Sequence, residues 1–302
     1  MPDCETYEVT VVMAVYRGID TLPVTLASIM QQEDVCFEVV LIDDGNTPVD
    51  REALISIAAP YPNVRVIHNS ANRGLTKSLI AGCEAASAPF IARIDNGDLM
   101  LPNTRLRQQA DLLRAHPEVG IVGGETEFLD LINGGRYCSK FGRRHYPCGE
   151  TDSGAMLFIH VTVMFRQSTY QTAGGYDAQL RVGQDTDLWP RMLRVAEGVV
   201  EPIVYAVAPM GPNSISVKEN NTQIWGKISR IWHEEHNGGN LIKRVFFKTS
   251  RVIPEFLKLL LPAGVRVRMR YQKHMNYLGA IAPEVRKSLS NIAAFYAIKT
   301  EK

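Results

Sequence analysis

Ile91-Ala92-Arg93-Ile94-Asp95-Asn96-Gly97-Asp98-Leu99-Met100-Leu101-Pro102 runs apolar residues into two carboxylates three positions apart, with a proline close behind. The run reads as a buried strand that ends in a turn. Asp, Asn and Gly are turn formers, and a helix after Pro102 starts afresh. Carboxylates at the carboxyl end of a strand in an α/β sheet sit where such sheets bind ligands. They suit a divalent cation and the phosphates it carries. The same residues are equally compatible with an ordinary Asp-rich turn, so the neighbouring segments decide.

Those segments alternate strand and helix. Residues 9–15 form an apolar run, and 37–42, 64–67, 90–94 and 119–122 also read as strands. Residues 21–30, 51–58, 74–86 and 104–115 carry helical spacing. Near-continuous apolar strands are buried on both faces, and a β-α-β succession predicts a mainly parallel sheet with right-handed crossovers and helices on both faces. The second strand also ends in acid, Asp43-Asp44-Gly45-Asn46, so one cleft collects two acidic turns. Beyond about residue 125 the pattern changes. Gly134-Gly135 predicts a turn, 155–165 a strand with His160 in its middle, 185–195 a helix and 199–207 a strand. From about residue 220 the chain reads as helices.

With 302 residues, a 45% hydrophobic share and a net charge of +1, the chain reads as a globular protein with no field that favours nucleic acid. The five cysteines form no CxxC pair. Cys36 and Cys83 lie in apolar surroundings and read as buried thiols, which argues against zinc or a disulfide framework. No apolar run reaches transmembrane length and the N-terminus does not read as a signal peptide, so a cytoplasmic enzyme is expected. Residues 241–275 mix aromatic and aliphatic side chains with Lys and Arg. They suit either peripheral contact with the inner face of an anionic membrane or a helical cap or oligomer contact. Oligomeric state stays open.

Taken in order, Val12-Met13-Ala14-Val15-Tyr16-Arg17, Ile42-Asp43-Asp44-Gly45, Asn72-Arg73-Gly74-Leu75, Ile91-Ala92-Arg93-Ile94-Asp95, His160-Val161-Thr162-Val163-Met164-Phe165-Arg166, Gly174-Gly175-Tyr176-Asp177 and Gln184-Asp185-Thr186-Asp187-Leu188-Trp189 resemble the motifs of family 2 inverting glycosyltransferases of the GT-A fold. The likeness covers about residues 8–210. It implies a Rossmann-like GT-A domain over 1–215, with a nucleotide-binding half at about 8–125 and an acceptor half at about 126–215, followed by a helical extension over 216–302.

The resemblance implies transfer of one sugar from a nucleotide-sugar, UDP-sugar above others, to a saccharide or lipid-linked glycan acceptor in surface polysaccharide synthesis. Ala14, Tyr16, Asp44, Asn72, Arg73, Asp95 and Asn96 fall at its donor positions. Asp44 would accept the uracil N3–H, Tyr16 would pack on the base, and Arg73 at a helix N-terminus would meet the diphosphate. Asp43 reads as structural. Mg²⁺ or Mn²⁺ is implied at Asp95 and Asp98, although the usual second Asp of the metal pair is Gly97. Either Asp98 swings in, or Asp95 and diphosphate oxygens hold the ion, or little metal is needed. Inversion requires a general base. The family's Glu-Asp reads Gln184-Asp185 here, which leaves Asp185 as base with Asp187 as the alternative. Trp189 packs or lines the acceptor side, and His160 is a core residue or a substrate contact. No Gln-x-x-Arg-Trp motif of a processive synthase follows. The rival readings are a non-catalytic binder of nucleotide-sugar or glycan, prompted by Gly97 and Gln184, and, last, a nucleotidyltransferase lacking its Gly-rich basic loop.

Overall fold

The computed structural model describes residues 5–131, 134–139, 141–149, 158–211 and 275–280. The first half alternates β1 (Val9–Val15), α1 (Leu22–Met30), β2 (Phe37–Asp43), α2 (Pro48–Ala58), β3 (Val64–His68), α3 (Leu75–Glu84) and β4 (Phe90–Arg93). The four strands are parallel neighbours in the order β4-β1-β2-β3. Successive side chains of β1 point to opposite faces. Val9, Val11, Met13 and Val15 join one cluster with Leu22, Leu26 and Leu54 of α1 and α2. Val12 joins a second with Leu79 and Cys83 of α3. Burial on both faces is why β1 and β2 read as largely apolar runs, with Thr10 and Glu38 buried against each other by a hydrogen bond.

The second half continues with β5 (Leu99–Met100), α4 (Arg105–Ala115), β6 (Val119–Asp130), β7 (Gly135–Ser139), β8 (Arg144–Tyr146), β9 (Met164–Arg166), α5 (Gln167–Thr172), α6 (Gln184–Leu193), β10 (Glu197–Met210) and β11 (Met275–Ala280). Here the sheet becomes mixed. β9 lies antiparallel between β4 and β6, and the sheet path is β11-β7-β6-β9-β4-β1-β2-β3. The insertion of β9 brings the residues before it to the carboxyl end of β4.

Several elements depart from their expected bounds for local reasons. β6 runs to Asp130 rather than ending at 122, because its buried Glu125 and Glu127 hide the strand signal. Glu125 is bonded by Ser139 Oγ, and Glu127 by Arg136 at 2.7 Å. α2 starts at Pro48, since Thr47 Oγ1 accepts the Asp50 N–H at 3.2 Å and caps it. His160 is not in a strand. It opens a 3-10 turn, His160–Thr162, closed by Thr162 N–H and Oγ1 both donating to the Ile159 carbonyl. An apolar run alone does not separate such a turn from a strand.

Cys36 is disulfide-bonded rather than a buried thiol; it stands half-buried just before β2, not within it. Cys83 is free, and burial pushes its thiol up to about 12. Most of the expected helical extension, including residues 241–274, lies outside the described residues. The part described, β11, is a strand on the free edge of β7, where backbone pairing rather than apolar spacing sets the conformation. Among the described residues, no helix is long and apolar enough to cross a membrane.

Candidate active site

The carboxyl ends of β4, β1 and β2 stand side by side, and the loop after β1 ties them together. Arg17 adopts a left-handed conformation with φ 61°. Its N–H donates to Asn46 Oδ1 at 2.6 Å, in the turn after β2. The Gly18 carbonyl accepts from Asn96 Nδ2 at 2.8 Å, in the turn after β4. The two acidic turns thus share one connecting loop. Tyr16 stands at its start, 46% exposed, with the Arg17 guanidinium 5.1 Å from its ring centroid. Ala14, half-buried, packs toward the α3 side of the sheet.

Asp43 and Asp44 divide the work of the β2 turn. Asp43 is buried and holds the turn: Asn46 N–H and Nδ2 bond one oxygen, while Arg51 Nε at 2.7 Å and His68 Nδ1 at 3.0 Å reach the other. Burial alone would raise its carboxyl, but the bonds from Asn46, His68 and Arg51 outweigh it and hold the group at about 2. Asp44 faces the loop that opens α3. Its Oδ1 accepts from Asn69 Nδ2 and Arg73 N–H, both at 2.9 Å. Its Oδ2 accepts from Asn72 Nδ2 at 2.9 Å and Gly74 N–H at 3.0 Å. These fill the four lone-pair positions of a carboxylate. In this structure Asp44 shapes the loop that presents the exposed Arg73 and Lys77, and a base N–H reaches it only by displacing one of those donors. Gly45 permits the approach, because a Cβ there would lie 2.2 Å from the Ala71 carbonyl carbon.

The β4 turn carries the other carboxylates. Arg93 is fully buried, and its guanidinium donates to the Val12 and Ile94 carbonyls, to Asp95 Oδ1 at 2.7 Å and to His160 Nε2 at 3.3 Å. Asp95 is half-exposed. Gly97 has φ 97°, and its N–H donates to Thr25 Oγ1 at 2.9 Å. A Cβ on Gly97 would meet Thr21 Oγ1 at 3.6 Å, an ordinary contact. The glycine that replaces the expected Asp therefore answers to the backbone conformation, not to lack of room. Desolvation first, then the charge of Asp95, push the Asp98 carboxyl well up, against the pull of Arg93.

The acceptor-side residues close over this turn. His160 is buried, with the Tyr176 hydroxyl 2.8 Å from Nε2 and the rings of Tyr176 and Trp189 edge-on at 5.9 and 5.8 Å. Burial and Arg93 lower the imidazole to about 4, although Asp95 and Asp185 favour its cation. The ring is therefore neutral near pH 7. Nε2, which accepts from Arg93, is the bare nitrogen and Nδ1 carries the proton. Asp185 stands half-buried in the first turn of α6, behind the N-cap Gly183, and accepts the Thr186 N–H at 2.8 Å. Asp187 is paired with Arg191 at 2.6 Å. Trp189 is a core residue, 1% exposed and packed on Phe158 and Phe165, with its Nε1 buried and without a hydrogen-bond partner among the described residues.

The donor set at the β4 turn fits a cation that arrives with phosphates. Among the described residues, no group of three or more His, Cys, Asp or Glu side chains is arranged to hold a metal ion by itself. Mg²⁺ needs only one or two carboxylates beside phosphate oxygens. Asp95 keeps Oδ2 without a hydrogen bond from the described residues, and Asp98 stands beside it. Two residues at this site, Arg93 and Tyr176, lie within quoted motifs yet drew no role from the sequence. The signal for Arg93 is a charged residue inside an apolar strand, since such a group is buried only with partners. Tyr176 offers no comparable signal.

The ordered strand ends, the paired acidic turns and the acid at the start of α6 form one candidate site on an α/β sheet. The chain belongs to glycosyl transferase family 2, whose model matches residues 10–168. EpsE of Bacillus subtilis (strain 168), named as a glycosyltransferase, is 32% identical over 191 residues, 61% of this chain and 66% of that protein. The amylovoran biosynthesis glycosyltransferase AmsE of Erwinia amylovora is 29% identical over 192 residues, 60% of this chain and 66% of that protein. The chain thus spans just under two thirds of either relative. A crystal structure of S. aureus TarS 1–349 in complex with UDP superposes with TM-score 0.53 at 16% identity, over 76% of this chain and 67% of that one. This likeness bears on the fold, a curled, mostly parallel sheet with helices as in GT-A structures.

Proposed function

We propose that this glycosyltransferase moves one sugar from a UDP-sugar, with inversion, to a saccharide or lipid-linked glycan in surface polysaccharide synthesis. The observation that carries the reading is the placement of Asp185. It lies in the first turn of α6, the helix whose Trp189 ring packs edge-on at 5.8 Å against the buried His160, and Arg93 bonds both that His160 and Asp95 of the β4 turn. On this reading Asp95 would serve the donor end and Asp185 the acceptor side. The UDP in the TarS structure supports the donor. The names of AmsE and of the succinoglycan biosynthesis protein ExoO of Rhizobium meliloti, 36% identical over 104 residues, support the pathway class. Lipid-linked acceptors would place the enzyme on the cytoplasmic side of a membrane.

In the reaction, Asp185 takes the proton of the acceptor hydroxyl. That oxygen attacks the anomeric carbon from the face opposite the diphosphate, the bond from that carbon to the diphosphate oxygen breaks, and UDP leaves. Asp187 ranks behind Asp185 because Arg191 holds it. Tyr16 offers its exposed ring to the base, Asn72 and Asn96 fix the loops on either side, and Arg73 meets the diphosphate. Asp95 and Asp98 would hold Mg²⁺ or Mn²⁺, which supplies positive charge to the leaving diphosphate. Asp185→Asn removes the base and keeps the shape. We expect kcat to fall about 10²–10⁴-fold, as for loss of a positioned general base, with UDP affinity by calorimetry unchanged. Transfer that survives this change would remove Asp185 from the mechanism.

A further inference from the structure

We infer that Arg93 is a positioning residue that fixes Asp95 for the donor and, through His160, ties that carboxylate to the element carrying Asp185. This rests on the reading of Asp95 as a donor-side group. The guanidinium is planar with donors in fixed directions, and here each of its three nitrogens has a partner. One nitrogen bonds the Val12 and Ile94 carbonyls, which locks the group onto the ends of β1 and β4. The second bonds Asp95 Oδ1 at 2.7 Å and the third His160 Nε2 at 3.3 Å. His160 is held in turn by the Tyr176 hydroxyl at 2.8 Å and by the edge of Trp189 in α6. The path Asp95–Arg93–His160–Trp189 therefore runs from the donor turn to the helix of the proposed base.

The geometry also limits what Arg93 itself does. It is 0% exposed, so it does not meet substrate. Removing its partner leaves a buried donor unpaired, which is costly. The effect of any change along this path should therefore reach Asp95 without touching the donor. Asp95 without Arg93 would be free to rotate, and the Oδ2 left for a phosphate-bound cation would lose its direction.

The test uses the full chain as Arg93→Lys, His160→Gln and the double variant, with thermal melts to confirm folding. Lysine keeps the charge but not the three directions, and glutamine keeps one acceptor for Arg93. For transfer from UDP-sugar we expect Arg93→Lys to lower kcat/KM about 10–100-fold, the range seen when a supporting partner is removed. His160→Gln should lower it less, and the double variant should be no worse than Arg93→Lys, because both act through one path. Effects that multiply, or a folded Arg93→Lys with unchanged kcat/KM, overturn the inference. A second readout needs no substrate. In the unliganded protein, His160→Gln should move the ¹³C resonance of the Asp95 carboxyl, and Arg93→Lys should move both that signal and the His160 ring nitrogens. An Asp95 signal indifferent to His160→Gln breaks the path even where no donor is turned over. Absence of transfer by the wild type with these shifts present would instead fault the UDP-sugar reading alone. Should Arg93→Lys fail to fold, His160→Gln and Tyr176→Phe carry both readouts.

Discussion

Single residues at this site are held by bonds whose pH dependence has a definite sign. His160 is lowered from 6.5 to about 4 by burial and Arg93. Between those values the unfolded chain binds a proton that the native protein refuses, so stability falls as pH drops from about 6.5 to 4, by roughly 3 kcal/mol in all. Asp43 is lowered from 3.8 to about 2. Its contribution is present above 3.8 and is lost as pH falls toward 2, roughly 2 kcal/mol. Urea titrations across pH should show His160→Gln flattening the upper window and Asp43→Asn the lower one. An acid limb unchanged in both variants would contradict the hydrogen bonding described. Gly97 gives a second residue-scale expectation. Gly97→Asp restores the family's acid on paper but places it at φ 97°, a conformation that costs a non-glycine residue about 1–3 kcal/mol. We expect a lower melting temperature and no new Mn²⁺ stabilisation. A variant as stable as wild type that gains Mn²⁺ dependence would show that the turn tolerates the acid.

At the scale of elements, the site is a set of loops held at the ends of strands, and the loop contacts matter more than the helices. The turn after β2 meets the loop before α3 so closely that Gly45 has no room for a side chain. Gly45→Ala must therefore push residues 69–74 away and break the four bonds of Asp44. We expect a destabilisation of about 1–3 kcal/mol and loss of UDP binding, measured by denaturant unfolding and calorimetry. Retained UDP affinity would mean that this loop takes no part in the donor site. The same contacts mark where the sequence is legible. β1, β2 and β4 could be read because burial on both faces leaves mostly apolar residues, and Asp44, Asp95 and Asp185 because carboxylates at element ends are conspicuous. The role of Arg93 depends on His160, 67 residues away, and His160 on Tyr176, across a turn that mimics a strand. No local pattern records such pairings. β11 escaped for the same reason: its state is set by the free edge of β7.

Across the whole molecule, the two halves meet where β9 is inserted against β4, and this junction sets how donor and cation should depend on each other. The first half supplies the Asp44 loop, Tyr16 and the β4 turn. The second supplies His160, Tyr176 and α6. The β4 turn offers a cation two carboxylates, Asp95 and Asp98, and Arg93 already neutralises part of Asp95. A cation alone should therefore bind weakly, whereas one that shares its coordination with a diphosphate gains oxygens the protein lacks. Ligands that bind the native state raise its stability by RT ln(1 + [L]/Kd), so a thermal shift separates these cases. We expect Mn²⁺ alone to leave the melting temperature nearly unchanged, UDP alone to raise it modestly, and UDP with Mn²⁺ to raise it by more than the two separate shifts combined. GDP and dTDP should give smaller shifts under the same conditions. Stabilisation by UDP that ignores Mn²⁺ would assign the diphosphate to Arg73 and the α3 N-terminus and leave Asp95 a sugar or ribose contact. Equal shifts with all three nucleotides would mean that the base is not read at Asp44, in keeping with a carboxylate whose four positions stay filled by its own loop.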